Sequence, residues 1–133
     1  MEPGPIRILL VEDQGDIAEM YRLRLELDGF KVAIASTGQQ ALELASTGWP
    51  DVVLLDLRLP DIDGFAVMNR LHSEKESALM SVIVLTDEDD QEMISRAFEL
   101  GALDFLRMSR VTPDAVSLRI KTWAHTPHNT SAA

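Results

Sequence analysis

The sequence predicts an α/β fold, a parallel sheet of five strands with helices on both faces. Two observations predict it. Short apolar runs alternate with longer stretches of helical period, strand then helix, five times in succession, which is the order that builds a parallel sheet. The runs Val52-Val53-Leu54-Leu55 and Val82-Ile83-Val84-Leu85 are also continuous rather than alternating, as in strands covered on both faces. At 133 residues and 46% hydrophobic content, the chain has the material for a single core.

The elements follow in order. Ile6 to Val11 is β-rich and too short for a helix, so it reads as the first strand. Asp16 to Asp28 places Ile17, Met20, Tyr21 and Leu25 on one helical face, and Gly29 stops it. Phe30 to Ala35 is the second strand. Thr37 and Gln40 have capping-box spacing for a helix carried by Ala41, Leu42 and Ala45 to Gly48. Trp49-Pro50 breaks the chain before the third strand, Asp51 to Asp56, and Asp63 caps a helix burying Phe65, Met68 and Leu71. Ser81 to Thr86 is the fourth strand. Met93, Ile94, Ala97 and Phe98 mark a helix ending at Gly101, and Leu103 to Leu106 is a short fifth strand. Thr112 caps the last helix, with Pro113 in its first turn and Val116, Ile120 and Trp123 on its inner face. The expected domain is 6–124, between a flexible N-terminus, 1–5, and a flexible tail, 125–133, whose His125 and His128 carry no assigned role.

Composition narrows the function. Twelve basic and twenty-two acidic side chains leave a charge of −10, which disfavours direct nucleic-acid or membrane binding and favours a cation. There is no cysteine for a disulfide or a thiolate site. No apolar stretch reaches the roughly 18 residues of a membrane span, and "MEPGPIR" lacks the pattern of a secretion signal. A soluble, cytoplasmic protein is expected.

In open α/β sheets the ligand crevice lies beyond the carboxyl ends of the strands. Strand one runs out into Glu12-Asp13, strand three into Asp56, and strand four into Thr86-Asp87. Acidic residues at a strand end are often only solvated loop residues or caps, and Thr86 alone is a β-branched strand residue. Together they form an oxygen-only set without His or Cys, which suits a hard ion, Mg²⁺ better than Ca²⁺. The first strand-to-helix turn, "VEDQGD", is acidic where a dinucleotide pyrophosphate needs glycines.

From "ILLVED" through "DVVLLDLRLPDIDG" and "VIVLTD" to "GALDFL", the chain resembles a receiver domain of the two-component response regulators. The resemblance implies a flavodoxin-like strand order, 2-1-3-4-5. It implies Asp56 as phosphoacceptor, Mg²⁺ or Mn²⁺ held by Glu12, Asp13, Asp56 and the Arg58 backbone carbonyl, Thr86 as phosphate ligand and Phe105 as a switch aromatic. Core packing accounts for Phe105 nearly as well. The implied partners are a histidine kinase or phosphotransfer protein and an output protein. The output face is made by helix four, strand five and helix five, where Ser95, Glu99 and Arg119 are expected to be exposed, in a monomer or homodimer.

The chain departs from the family after the fifth strand. Receivers carry a lysine there and then a cis proline, whereas this chain reads "DFLRMSRVTPD". Counting from Gly101 puts Met108 at the lysine position and Ser109 at the proline; counting back from Thr112 puts Ser109 at the lysine. A cis bond before Ser109 would cost roughly 2.5 to 4 kcal/mol, so a different loop path is expected. Arg107 and Arg110 are candidate substitutes for the cation, or surface charges. Asp87 stands where receivers have a small residue and should repel a phosphoryl group or slow an attacking water. Two alternatives to a phosphorylated receiver remain, a phosphorylation-independent pseudo-receiver and a Mg²⁺-dependent phosphohydrolase.

Overall fold

A computed structural model describes residues 4–73, 80–88 and 90–124. The five strands are β1 (Arg7–Val11), β2 (Lys31–Ala35), β3 (Val52–Leu55), β4 (Ser81–Thr86) and β5 (Asp104–Arg107). They alternate with the helices α1 (Gly15–Leu27), α2 (Gly38–Ala45), α3 (Gly64–Ser73), α4 (Gln91–Glu99) and α5 (Pro113–Ala124), with a 3₁₀ turn, Met108–Arg110, before α5. All neighbours pair parallel in the order β2-β1-β3-β4-β5.

The continuous apolar runs are explained by the alternation of side chains along a strand. Val53, Leu55, Val82 and Val84 join one core with Ala41, Leu42, Phe65, Met68, Leu71 and Ala97 of α2, α3 and α4. Val52, Leu54, Ile83 and Leu85 join the other with Ala18, Tyr21, Leu25, Val116 and Ile120 of α1 and α5. Every residue of β3 is therefore buried, in one layer or the other.

Helix faces were read correctly in part. Ala18, Tyr21 and Leu25 are the buried face of α1, while Met20 is 47% exposed, because it sits one residue and so about 100° from Tyr21. In α4 only Ala97 is buried. Met93 and Leu100 pack partly against the core, and Phe98, rotated from Ala97 by the same angle, points outward. Ser95, Glu99 and Arg119 are exposed as expected, but Arg119 is engaged: its guanidinium donates from Nε and Nη2 to the buried Asp104 carboxylate, each at 2.8 Å. Trp123 Nε1 donates to the same group at 2.9 Å, so α5 is clamped to β5.

Caps hold the loops that lead to the carboxyl edge. Thr37 Oγ1 accepts from Gln40 N, and Gln40 Oε1 turns back to Ser36 N rather than to Thr37 N, one residue short of the expected box. Asp61, from the β3–α3 loop, accepts from both Gly38 N and Gln39 N, at 2.8 and 2.9 Å. Asp63 caps α3 through Phe65 N. Thr112 caps α5 through Ala115 N. Gly29 ends α1 with φ of +96°, a left-handed conformation that favours glycine. Residues 1–3 and the tail, 125–133, with His125 and His128, lie outside the described residues.

Gly64 is required for another reason. Its N–H donates to Leu57 O at 3.1 Å, closing the loop after β3, and a Cβ there would lie 2.5 Å from Leu57 Cα. Gly64→Ala is therefore expected to destabilise the domain by roughly 1 to 3 kcal/mol, the range for overpacking. Urea unfolding checks this, and an unchanged midpoint would show that the loop yields without cost.

Candidate functional site

The strand ladder carries the site residues into place. Glu12 N bonds Ala35 O at 3.0 Å, and Asp56 N bonds Val11 O at 3.1 Å, so each residue extends the hydrogen bonding one step past its strand. Glu12 and Asp56 are thereby buried at the sheet's carboxyl edge, 2% and 9% exposed, while Asp13 stays exposed. One carboxylate oxygen from each of the three lies within 4.8 Å of the others. Glu12 Oε2 accepts from Gln14 N at 3.0 Å. Asp56 Oδ1 accepts from Arg58 N at 3.1 Å and from Thr86 Oγ1 at 2.9 Å.

Such crowding has an electrostatic cost. Two carboxylates about 4 Å apart repel by on the order of 4 kcal/mol at an effective dielectric near 20. Burial, opposed by the Gln14 N–H and reinforced by the charges of Asp56 and Asp13, pushes Glu12 up to about 7. Burial also raises Asp56, against the pull of the Arg58 N–H and the Thr86 hydroxyl. A hard cation relieves the same repulsion without a proton, so the donor set fits Mg²⁺ or Mn²⁺.

A cleft of about 70 Å³ opens over this edge, with Asp56, Arg58, Thr86, Asp87, Glu88 and Met108 in its walls. A larger cavity of about 570 Å³ lies far from this chemistry, among Ile6, Asp28, Phe30, Asp51 and Lys121. Its carboxylates are already engaged, Asp51 with Arg7 and Asp28 with Arg24 and Ser117, so it is not the site.

The loop after β5 brings an apolar side chain, Met108, to the cleft. Of the two registers open in the sequence, the one from Gly101 places Met108 in the cleft wall. No peptide bond among the described residues is cis, and the chain turns through Met108–Arg110 instead. Asp87 accepts from Ser109 N at 2.9 Å, so the carboxylate expected to repel a phosphoryl group is turned onto this loop. Arg107 is paired in register with Thr86, and Arg110 is exposed; neither is among the residues lining the cleft. Phe105 lies opposite Val84 and packs, half-buried, against the α2–α3–α4 core.

One cation does line the cleft, and the sequence reading missed it. The Arg58 guanidinium pairs with Glu88, its Nε at 2.9 Å from Oε1 and its Nη2 on the same oxygen. The signal was present: Arg58 and Glu88 each stand two residues past a site residue on adjacent parallel strands, with opposite charges. Asp61 and Asp104 were missed as well, because their partners are distant in sequence.

A family model, that of the response regulator receiver domain, matches residues 8–110. The chain belongs to that family. This receiver is 34% identical over 115 residues to the alkaline phosphatase synthesis transcriptional regulatory protein PhoP of Bacillus subtilis, covering 86% of the chain and 47% of that protein. The chain thus spans about half the length of the curated relatives it matches. Among solved structures, it superposes on a CheY-like receiver domain protein from Methanospirillum hungatei with a TM-score of 0.85 at 26% identity, covering 91% and 94% of the two chains. It superposes on the Mn²⁺-bound form of the response regulator Rcp1 with a TM-score of 0.78 at 25% identity, covering 92% and 97%. The receiver is a signalling domain of two-component systems, and its strand order is the flavodoxin-like one. Among the described residues no helix is long and apolar enough to cross a membrane.

The raised Glu12 sets a pH dependence. Between pH 4.5 and about 7 the unfolded chain releases a proton that the folded chain keeps, so metal-free stability falls as pH rises through this window. Excess Mg²⁺, which favours the ionised carboxylates, is expected to reverse the trend, and Glu12→Gln to flatten it. Calorimetric Tm values in chelator and in Mg²⁺ test this; a slope unchanged in Glu12→Gln would assign it to other groups.

Proposed function

We propose that this receiver accepts a phosphoryl group on Asp56 from a phosphohistidine of a histidine kinase or phosphotransfer protein. The observation that carries the reading is the complete set at the carboxyl edge: Asp56, buried beside Glu12 and Asp13 and bonded by the Thr86 hydroxyl. The presence of that acidic set with the Thr86 hydroxyl favours this reading over a pseudo-receiver. A carboxylate oxygen of Asp56 attacks phosphorus, the P–N bond to imidazole breaks, and the imidazole nitrogen keeps the electron pair. The product is an acyl phosphate, with no net change in oxidation state. Thr86 then moves its hydroxyl from Asp56 Oδ1 to a phosphoryl oxygen.

Glu12, Asp13, Asp56 and the Arg58 carbonyl would hold Mg²⁺ or Mn²⁺, which when bound neutralises charge on the transferring group. The Mn²⁺-bound form of Rcp1 supports this assignment. Glu12 and Asp56, the two buried carboxylates of that set, are kept from relaxing apart by their strand-end backbone bonds. We assign output to the face of α4, β5 and α5, with Phe105 as its switch aromatic, in a cytoplasmic signalling unit of residues 6–124 that acts as a monomer or homodimer. The weak seating of α4, with Ala97 its one buried residue, supports movement there. Catalysis is confined to the domain's own phosphorylation and dephosphorylation.

Intact mass after incubation with Mg²⁺ and acetyl phosphate is the test. Wild type should gain one phosphoryl group, and Asp56→Asn should fold but gain none. Equal labelling of the two would place the nucleophile elsewhere, and multiple turnover of a small phosphomonoester would favour the hydrolase.

A further inference from the structure

The site lacks a lysine, yet the chemistry still requires positive charge near the phosphoryl oxygens. An acyl phosphate on Asp56 adds negative charge to a cleft already walled by Asp56, Asp87 and Glu88, with Glu12 and Asp13 grouped beside Asp56. Among the described residues in the cleft wall, Arg58 is the one cation. Its backbone is anchored at the acceptor, because Arg58 N donates to Asp56 Oδ1 at 3.1 Å. Its guanidinium is parked on Glu88, and both recorded donors converge on the single oxygen Oε1, a fork that leaves Oε2 unused by this pair. The Arg58 side chain is 78% exposed, so the pair is held loosely in water and is open to exchange.

Glu88 belongs to the same mechanism. Its N–H points to Thr86 Oγ1 at 3.4 Å, the hydroxyl that donates to Asp56. The Arg58–Glu88 pair therefore bridges the loop after β3 and the loop after β4, and both residues line the same cleft as the acceptor. Asp87 Oδ1 accepts from Ser109 N, and among the described residues the hydrogen bonds of the guanidinium go to Glu88.

We infer that the Arg58 guanidinium is the phosphoryl-binding cation of this receiver, held on Glu88 in the unphosphorylated state and transferred to the phosphoryl oxygens when Asp56 is modified. The inference rests on Asp56 being the acceptor. A guanidinium can offer two donors to a phosphate, where Glu88 takes both on one oxygen. The phosphoryl dianion also carries more charge than the carboxylate it displaces. The loop after β3 thus supplies the charge that the resemblance expects from the loop after β5, and Met108 is free to be apolar.

Wild type, Arg58→Gln, Glu88→Gln and Arg110→Gln are compared for phosphorylation by acetyl phosphate with Mg²⁺, read by intact mass, and for beryllofluoride affinity, read by fluorine NMR. Arg58→Gln should be labelled about tenfold more slowly and bind beryllofluoride correspondingly more weakly, the loss of one charged hydrogen-bonding group. Glu88→Gln should be labelled faster than wild type, and Arg110→Gln at the wild-type rate. Adding Met108→Lys to Arg58→Gln should restore both readouts. Wild-type labelling and affinity in Arg58→Gln would overturn the inference and leave Asp56 as acceptor. So would an Arg110→Gln defect as large as that of Arg58→Gln, since it would indicate only a diffuse field. Absence of both label and beryllofluoride binding in wild type would overturn the phosphoacceptor reading of Asp56 together with the inference.

Discussion

Mutual repulsion of Glu12, Asp13 and Asp56 is the constraint around which this molecule is arranged. Left in water, three carboxylates would move apart. Here two of them are continuations of strands, and each is tied by its backbone N–H to the neighbouring strand. The hydrogen-bonded sheet, anchored by two layers of buried aliphatic side chains, holds them within 4.8 Å. Folding energy gathered along the strands is thereby converted into a site that favours a cation, or a proton in its absence.

Much of the surrounding loop structure keeps that geometry rigid. The segment after β3 is pinned at three points: Asp61 on the first N–H groups of α2, Asp63 at the start of α3, and Gly64 N on the Leu57 carbonyl. These contacts fix the backbone on either side of Arg58, so the freedom left there belongs to its side chain. Across the cleft, Asp87 Oδ1 accepts from Ser109 N, so this carboxylate of the cleft wall also ties down the loop after β5.

The opposite behaviour is built into α4. Phe98 faces solvent, and the guanidinium of Arg96 lies 4.5 Å from the centre of the Phe65 ring. His72 Nδ1 meets Leu100 O at 2.7 Å where α3 and α4 end. α4 commits little apolar area, with Ala97 its one buried residue. The adjoining β5 and α5 are fastened by Asp104, Arg119 and Trp123, so a shift of α4 would occur against a fixed neighbour.

Strand positions, helix caps and the acidic set at the strand ends were legible in the sequence because each is local. An apolar run of four to six residues, a Thr or Asp before a helix, and a carboxylate directly after a buried strand need no knowledge of distant partners. The parallel arrangement followed from the order of elements alone, since a strand-helix-strand unit returns the chain in the same direction. The strand order did not follow from residue patterns and came from the family resemblance. Tertiary structure decided everything that depends on one loop meeting another: that Arg58 and not Arg107 or Arg110 lines the cleft, that Asp87 Oδ1 accepts from Ser109 N, and that Asp104 is paired with Arg119 of α5. It also decided that Phe98 of α4 points outward while Ala97, one residue and about 100° away, is buried. The physical reason is range: hydrophobic burial and capping act over a few residues of chain, whereas ion pairs across a cleft are set by the register of strands far apart in sequence.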